Sequence, residues 1–154
     1  MKIELTKCRK KDLQNFIILL EKENMQKYFD KHFESCWSDK EYQEYLENLF
    51  AKGNIYLIYI DDKCIGFTSF SQDKKDDEAL FISNLQIKKE YQNMGYGSQV
   101  LKFIEEKAKK LNYKKIKLYV FEDNPSQSLY KKFGYKQIDY IKKSDTNVMQ
   151  KLII

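Results

Sequence analysis

Two glycines in the middle of the chain stand where they could let a phosphate group approach the backbone. The segment Gln92–Gly97 follows an apolar stretch that ends at Ile87 and precedes a helical pattern. The first turn of a helix has amide N–H groups without intrahelical partners, and the helix dipole adds positive potential there. Because glycine lacks a Cβ, Gly95 and Gly97 would open this turn to a diphosphate, and Ser98 adds a hydroxyl donor.

A Gly-x-Gly sequence is by itself a weak signal, because a flexible loop before a helix has the same composition. The segment is not a Walker loop, since no Gly-Lys-Ser/Thr follows Gly97. It is not a dinucleotide-binding fingerprint either, since the third glycine is missing and the loop follows a run of strands. The surrounding sequence must therefore decide its role.

A second candidate for chemistry is the phenol of Tyr130, in the later segment Asn124–Tyr135. A phenol with a reference pKa of about 10 is protonated at neutral pH and can donate a proton to a leaving group. The helical spacing from Tyr130 to Phe133 equally suits a packed aromatic side chain. Asn124 as N-cap, with Gln127 placed to complete a capping box, predicts a short helix that Gly134 ends.

The elements around these candidates follow from apolar periodicity. Alternating or continuous apolar residues predict strands over 2–7, 55–60, 63–71, 78–87, 115–121, 135–141 and 147–153. Helical spacing predicts helices over Lys11–Glu23, from an N-cap at Ser38 to Gly53, and along the stripe from Val100 to Leu111. The order β-α-α-β-β-β-α-β-α-β-β predicts a mixed α/β sheet, and three successive central strands, expected to be antiparallel, argue against a Rossmann fold.

Composition narrows the class of protein. A chain of 154 residues with 42% hydrophobic and 33% charged residues fits one globular domain. The formal net charge of +5 is spread along the chain, which disfavours nucleic-acid binding and leaves it as a minor alternative. The absence of a long apolar run predicts no membrane span, and the polar start predicts no signal peptide. Three widely spaced cysteines, Cys8, Cys36 and Cys64, indicate reduced thiols and a cytoplasmic protein.

Together, the two candidate segments resemble the GNAT superfamily of N-acetyltransferases. The family loop reads Gln/Arg-x-x-Gly-x-Gly/Ala, and Gln92, Gly95 and Gly97 match it. The later segment is similar to the family's second motif, which ends Leu-Tyr-x-x-x-Gly-Phe/Tyr. The resemblance covers Lys2 to Ile154 in architecture and Leu80 to Lys136 in motif. It implies a single α/β (α+β) domain over 1–154, with a mixed, largely antiparallel sheet flanked by helices and splayed at the cofactor site.

The resemblance implies transfer of an acetyl group from acetyl-CoA to a primary amine of a small molecule or peptide, by direct attack on the thioester. It places the pantetheine arm on the backbone of Leu85 and Ile87. Tyr130 would face the thioester sulfur and protonate the leaving thiolate. Asn124 would contact the pantetheine or a nearby water, although Asp123 stands at the commoner family spacing. The pyrophosphate would be held by the loop residues Gln92, Asn93, Met94, Gly95, Tyr96, Gly97 and Ser98.

The general base and the acceptor stay open. The strand Leu80–Asn84 has no carboxylate, Glu78 lies at its far end, and no base is assigned. The resemblance implies that substrate choice depends on the segment between the first two strands, where aromatic residues would suit an apolar or aromatic amine, or simply pack a helix onto the sheet. The segment includes Met25, Tyr28, Phe29, His32, Phe33 and Trp37. An acidic loop is a candidate for binding a cationic amine, or is merely solvated; its carboxylates are Asp73, Asp76, Asp77 and Glu78.

Other readings follow from the same residues. His32 and Cys36 could share a helix face, but two ligands are too few for zinc, so no metal is expected. A protein that binds acyl-CoA as a sensor without turnover is the main alternative to an enzyme. No membrane or nucleic-acid partner is expected, and a homodimer stays open.

Overall fold

The computed structural model describes residues 1–33 and 38–153. These residues form a seven-stranded mixed sheet in the order β1-β2-β3-β4-β5-β7-β6. Pairing is antiparallel between β1 and β2, β2 and β3, β5 and β7, and β6 and β7, and parallel between β4 and β5. The predicted α+β fold is confirmed. The strands are β1 Glu4–Lys7, β2 Ile55–Ile60, β3 Lys63–Gln72, β4 Ala79–Ile87, β5 Lys115–Phe121, β6 Lys136–Ile141 and β7 Thr146–Leu152.

The helices accompany the strands in the predicted order. The first helical stretch runs past Glu23 to His32, into the segment Asn24–Trp37 that the sequence indicates to be helical in part, because buried residues recur as far as Tyr28; a π-helical turn at Leu13–Ile17 interrupts it. The Ser38 side chain accepts a hydrogen bond from the Glu41 amide at 3.3 Å, which confirms that N-cap. Every helix in the described residues is too short or too polar to span a bilayer. The helices are α1 Lys10–Asp12, α2 Ile18–His32, α3 Asp39–Ala51, α4 Tyr96–Lys110 and α5 Gln127–Lys132, with short 3₁₀ turns at Lys89–Tyr91 and Lys142–Ser144.

The chain forms two compact units. The first comprises Met1–Ser69 and Asn84–Met94, and the second comprises Phe70–Ser83 and Gly95–Ile154. In the first unit, the apolar faces of the helices and of strands β2 and β3 bury one cluster, which removes this surface from water. Its members are Leu13, Ile17, Leu20, Leu46, Leu49, Ile55, Leu57 and Phe67.

The core of the second unit follows the predicted periodicities. Helix α4 buries one stripe of residues, as its helical spacing indicates, and β5 buries alternate residues. The stripe comprises Tyr96, Val100, Leu101, Ile104 and Ala108, and the strand contributes Ile116, Leu118 and Val120. The local pattern therefore identified the inward faces of both elements except at Leu111, the last member of the predicted stripe, which is 59% exposed because α4 ends at Lys110.

The start of α5 differs from the prediction. The helix begins at Gln127, and the Asn124 Oδ1 accepts from the Ser126 amide at 2.9 Å in a preceding turn. The Gln127 side-chain Nε2 donates to the carbonyl of Phe121 at 3.2 Å and to that of Glu122, which holds this side chain against the end of β5. The predicted capping box is wrong, because the Asn124 backbone N–H donates to the Phe121 carbonyl at 3.0 Å and the Gln127 side-chain oxygen accepts from Asn147, on β7, at 2.8 Å.

Candidate active site

Strand β4 pairs with β5 over only part of its length. The parallel register covers Ala79 to Ile82, which lie opposite Lys115 to Leu118, whereas β4 continues to Ile87. On its other side, β4 stays in contact with β3: the Thr68 hydroxyl donates to the Asn84 carbonyl at 2.7 Å. The described register with β5 therefore stops before Leu85 and Ile87, the two residues expected to meet a pantetheine arm.

Gly66 lets β3 approach β4 closely at this point. A Cβ placed on Gly66 would lie 2.2 Å from the Gln86 carbonyl oxygen and 3.1 Å from the Ile87 Cα. The next backbone contact runs from the Lys88 amide to the Ile65 carbonyl at 2.8 Å. The sequence shows a glycine inside a strand, but only the structure shows which backbone atoms require it.

The carbonyl of Ile87 holds the end of β4 in place through two hydrogen bonds. This oxygen accepts from the Asn24 amide at 3.0 Å and from the Gln92 amide at 2.9 Å. A carbonyl has two lone pairs, so both are used. Gln92 therefore anchors the start of the loop to the strand, and a backbone contact from Ile87 to a ligand falls to its N–H. Asn24, from α2, was not identified from the sequence and carries no local motif.

The loop after β4 enters α4 through left-handed residues. Asn93 has φ 60°, and Gly95, the N-cap of α4, has φ 86°. A Cβ placed on Gly95 would meet nothing within 4 Å, so the space beside this residue is open. The amides of the first turn that follows lack intrahelical acceptors. Tyr96 is only 9% exposed, so its side chain belongs to the core and its amide is the group available to a ligand.

Tyr130 lies in α5 and is buried. Burial raises the pKa of its phenol to about 12, against an opposing hydrogen bond with Ser126. Its ring meets that of Tyr135 edge-on at 6.0 Å between centroids, and its carbonyl accepts from the Tyr135 amide at 3.0 Å. The phenol is therefore protonated at neutral pH and held in a defined orientation, which are the two requirements for a proton donor.

Asn124 is half-buried in the second unit. Its side-chain oxygen is engaged by the Ser126 amide. Because an amide oxygen has two lone pairs, Oδ1 keeps one for a second donor, and Nδ2 can only donate.

The acidic loop is paired with lysines. The Lys115 ammonium lies 2.7 Å from an Asp76 carboxylate oxygen, and Lys117 lies 3.2 Å from Asp76 and 3.5 Å from Asp73. The hydrogen bond from Lys115 lowers the pKa of Asp76 to about 2. Because these two carboxylates are already neutralised by neighbouring cations, they are poor candidates for binding a cationic acceptor.

The aromatic segment between β1 and β2 is only partly described. Tyr28 is buried, and Phe29 packs on Phe33 with ring centroids 5.5 Å apart. Cys36 and Trp37 lie outside the described residues, so the proposed pairing of His32 with Cys36 is not assessed. Across residues 1–33 and 38–153, no three His, Cys, Asp or Glu side chains form a metal-binding group.

The predicted site residues divide between the two units. The first unit contains the strand end and the start of the loop: Leu85, Ile87, Gln92, Asn93 and Met94. The second contains the helix start and the residues of the later motif: Gly95, Tyr96, Gly97, Ser98, Asn124 and Tyr130. Within the first unit, Gln92 and Ile87 are in direct contact.

The mixed sheet, with a strand β4 that extends past its register with β5 and a glycine-capped helix α4 after it, matches a known family of transferases. The family model described as "Acetyltransferase (GNAT) family" matches residues 22–135. That range is more than half of the sequence, and the chain belongs to this family of acetyltransferases.

Solved structures share the fold over nearly the whole chain. PaiA N-acetyltransferase from Thermoplasma acidophilum, solved with coenzyme A, is 21% identical with a TM-score of 0.75, covering 99% of each chain. Naa50 from Arabidopsis thaliana, solved with the bisubstrate analogue CoA-Ac-MVNAL, is 25% identical with a TM-score of 0.67, covering 98% of this chain and 99% of its own. Ard1 from Thermoplasma volcanium is 14% identical with a TM-score of 0.78, covering 100% and 99%. No curated protein matches the sequence.

Proposed function

We propose that this protein is an N-acetyltransferase that moves an acetyl group from acetyl-CoA to a primary amine of a small molecule or peptide, with residues 1–154 acting as a single domain. The observation that carries the proposal is the start of α4, where left-handed Gly95 opens space beside amides that lack intrahelical acceptors. Among similar structures, PaiA contains coenzyme A and Naa50 contains a CoA-peptide analogue.

The loop residues contribute to pyrophosphate binding in different ways, some directly and some by positioning the loop. Gly95, Tyr96, Gly97 and Ser98 offer backbone amides at the positive end of the helix dipole. Gln92 acts indirectly, because its side chain is engaged by the Ile87 carbonyl and so positions the loop. Asn93 and Met94 are exposed between these anchors, and their contribution is through backbone groups.

The strand segment after Ile82 provides the backbone for the pantetheine arm. Leu85 and the N–H of Ile87 are the candidates, since the register with β5 stops at Ile82 and the Ile87 carbonyl is used. Asn124 would contact the arm through its side-chain amide, as a donor from Nδ2 or as an acceptor at the second lone pair of Oδ1.

Acetyl-CoA, when bound, would supply an acyl thioester: the neutral acceptor amine forms a bond to the acyl carbon, the carbon–sulfur bond breaks, the sulfur leaves as a thiolate, and the amine proton passes to water. Tyr130 donates a hydrogen bond to that sulfur as negative charge develops on it. A phenol with a pKa of about 12 is a weaker acid than a thiol with a pKa of about 8.5. Tyr130 therefore acts most strongly as a hydrogen-bond donor during bond cleavage, and full proton transfer follows only if binding lowers the pKa of the phenol.

Tyr130→Phe tests this role. We expect kcat to fall at least roughly tenfold, with little change in acetyl-CoA affinity, because only the donor is lost. The measurement is CoA release over a panel of polyamines, aminoglycosides, amino acids and peptides, including one that begins Met-Val, as in the Naa50 analogue. Tyr135→Phe is the matched control, since that buried hydroxyl has no hydrogen-bond partner among the described residues. An unchanged kcat in Tyr130→Phe would contradict the assignment.

The alternative is an acyl-CoA sensor without turnover, supported by the absence of a carboxylate from Leu80–Asn84. Acetyl-CoA binding without CoA release on any amine of the panel would favour it. The proposal further places the protein in the cytoplasm, without a metal, a membrane or a nucleic-acid partner. A homodimer is open to measurement by sedimentation.

A further inference from the structure

A buried carboxyl group lies in the first unit, outside the predicted site. Glu21, in α2, is only 2% exposed, and its Oε2 has no hydrogen-bond partner among the described residues. Burial raises the pKa of Glu21 from its ordinary value of 4.5 to about 8, against an opposing hydrogen bond with Tyr42. Glutamate is almost never fully buried unless paired, so this position calls for a physical explanation.

Glu21 begins a line of polar contacts that leads to β4. Tyr42, on α3, hydrogen-bonds Glu21, and its hydroxyl lies 3.3 Å from the Asn84 side-chain oxygen as a donor. The Asn84 amide in turn donates to the Ser69 hydroxyl at 2.8 Å. Asn84 immediately precedes Leu85, at the point where β4 has left its register with β5. The line therefore connects a buried acid to the strand segment assigned to acetyl-CoA.

The Tyr42 hydroxyl has one proton but two acceptors. When Glu21 is neutral, its own O–H can donate to the Tyr42 oxygen, and Tyr42 can then donate to Asn84. When Glu21 is ionised, Tyr42 must donate to the carboxylate, and the Asn84 oxygen loses its donor. The protonation state of Glu21 therefore decides the hydrogen bonding of a side chain on β4.

The side chains that face Glu21 add few titrations of their own in the pH range where Glu21 ionises. From α3 it faces Tyr42, behind which Tyr45 packs with ring centroids 5.4 Å apart. The β3 and β4 members of the line are hydroxyl and amide side chains, which do not titrate in this range. On α2, the neighbouring Lys22 pairs with Asp39 at 3.3 Å, and no cation among the described residues shifts the pKa of Glu21.

We propose that Glu21 is a positioning residue for acetyl transfer, whose neutral form, through Tyr42 and Asn84, holds the strand segment at Leu85 in the geometry that binds acetyl-CoA. This inference rests on the proposed function. Ionisation of Glu21 withdraws the donor from Asn84 and weakens cofactor binding.

The test is acetyl-CoA affinity, measured by calorimetry at pH 6.5 and 9.5. In the wild type we expect affinity to weaken roughly fivefold at the higher pH, which corresponds to one hydrogen bond. Glu21→Gln keeps a neutral donor toward Tyr42. Its acetyl-CoA affinity should therefore match that of the wild type at pH 6.5 and should not show the roughly fivefold weakening at pH 9.5. Glu23→Gln, an exposed acid on the same helix, is the control and should follow the wild type.

A second pair of variants tests the connection itself. Tyr42→Phe removes the donor to Asn84 at every pH, so its affinity at pH 6.5 should already equal the weakened wild-type value at pH 9.5. Tyr45→Phe removes a hydroxyl from the same helix and should leave the wild-type profile unchanged. The inference would be overturned if acetyl-CoA affinity changed with pH in the same way in wild type and Glu21→Gln. It would also be overturned if Tyr42→Phe bound acetyl-CoA at pH 6.5 as tightly as the wild type.

Thermal unfolding gives a readout that does not depend on acetyl transfer. Because the folded pKa of Glu21 is raised, the folded state binds its proton more tightly, and stability falls as pH rises from about 4.5 to about 8, then levels. Between pH 5 and 8, the Tm of the wild type should fall by at least roughly 5 °C more than that of Glu21→Gln. If acetyl-CoA binds but wild type and Glu21→Gln do not differ with pH in affinity or in Tm, this inference alone is overturned. If acetyl-CoA binds to none of the variants, the proposed function is overturned as well.

Discussion

Replacing Gly66 with alanine probes the closest approach of β3 to β4. The new Cβ would lie 2.2 Å from the Gln86 carbonyl oxygen, 3.1 Å from the Ile87 Cα and 3.2 Å from the Gln86 carbonyl carbon. All three are backbone atoms, so no side-chain rotation relieves the clash. Since Cβ atoms keep at least 3.0 Å from such neighbours, the strands must separate locally by about 0.8 Å.

The expected cost is at the upper end of that for overpacking, about 3 kcal/mol, because rigid strand backbone must move. In a chain of this size, 1 kcal/mol changes Tm by about 2–4 °C, so Tm should fall by roughly 6–12 °C. Because the displaced residues Gln86 and Ile87 adjoin Leu85, acetyl-CoA affinity should also weaken, by roughly tenfold, the equivalent of about 1.4 kcal/mol.

Calorimetric unfolding and acetyl-CoA titration measure the two effects. Gly53→Ala is a useful control, because Gly53 has φ 72° but nothing within 4 Å of an added Cβ. It should cost only about 1 kcal/mol for the left-handed backbone and leave affinity unchanged. If Gly66→Ala melts within 2 °C of the wild type (roughly the shift from half a kcal/mol) and binds equally well, the reasoning about this strand pair is refuted.

Two further predictions concern the second unit. Gly95→Ala adds a Cβ in the open space at the start of α4 and strains a residue with φ 86°, so acetyl-CoA affinity measured by calorimetry should fall at least roughly tenfold, about 1.4 kcal/mol. Gly134→Ala, also at positive φ, controls for backbone strain alone. Equal losses of affinity in the two variants would contradict the binding role of Gly95. Asp76 has its pKa lowered from 3.8 to about 2 by Lys115, so its contribution to stability is present above pH 3.8 and is lost as pH falls toward 2. Melting curves of Asp76→Asn should therefore decline less than those of the wild type over that window, and equal declines would count against the ion pair.

Much of the architecture could be predicted from short-range patterns. Strand β2 and strand β5 were predicted at their observed bounds, because a continuous or alternating apolar run specifies both the strand and its inward face. The helix after Gly95 was predicted from its apolar stripe. The start of α5 was not, because the Gln127 oxygen accepts from Asn147, a residue distant in sequence that local capping rules do not consider.

The sequence alone therefore determined the order of elements and the family, and it predicted the cofactor loop, since each depends on residues within a few positions of one another. The tertiary structure alone decided why Gly66 must be glycine, which groups occupy the Ile87 carbonyl, and that Glu21 reaches β4 through Tyr42. The physical reason is that such contacts join residues distant along the chain. They exist only after two helices and two strands pack together, and no periodicity or spacing in one sequence encodes which polar side chains then meet.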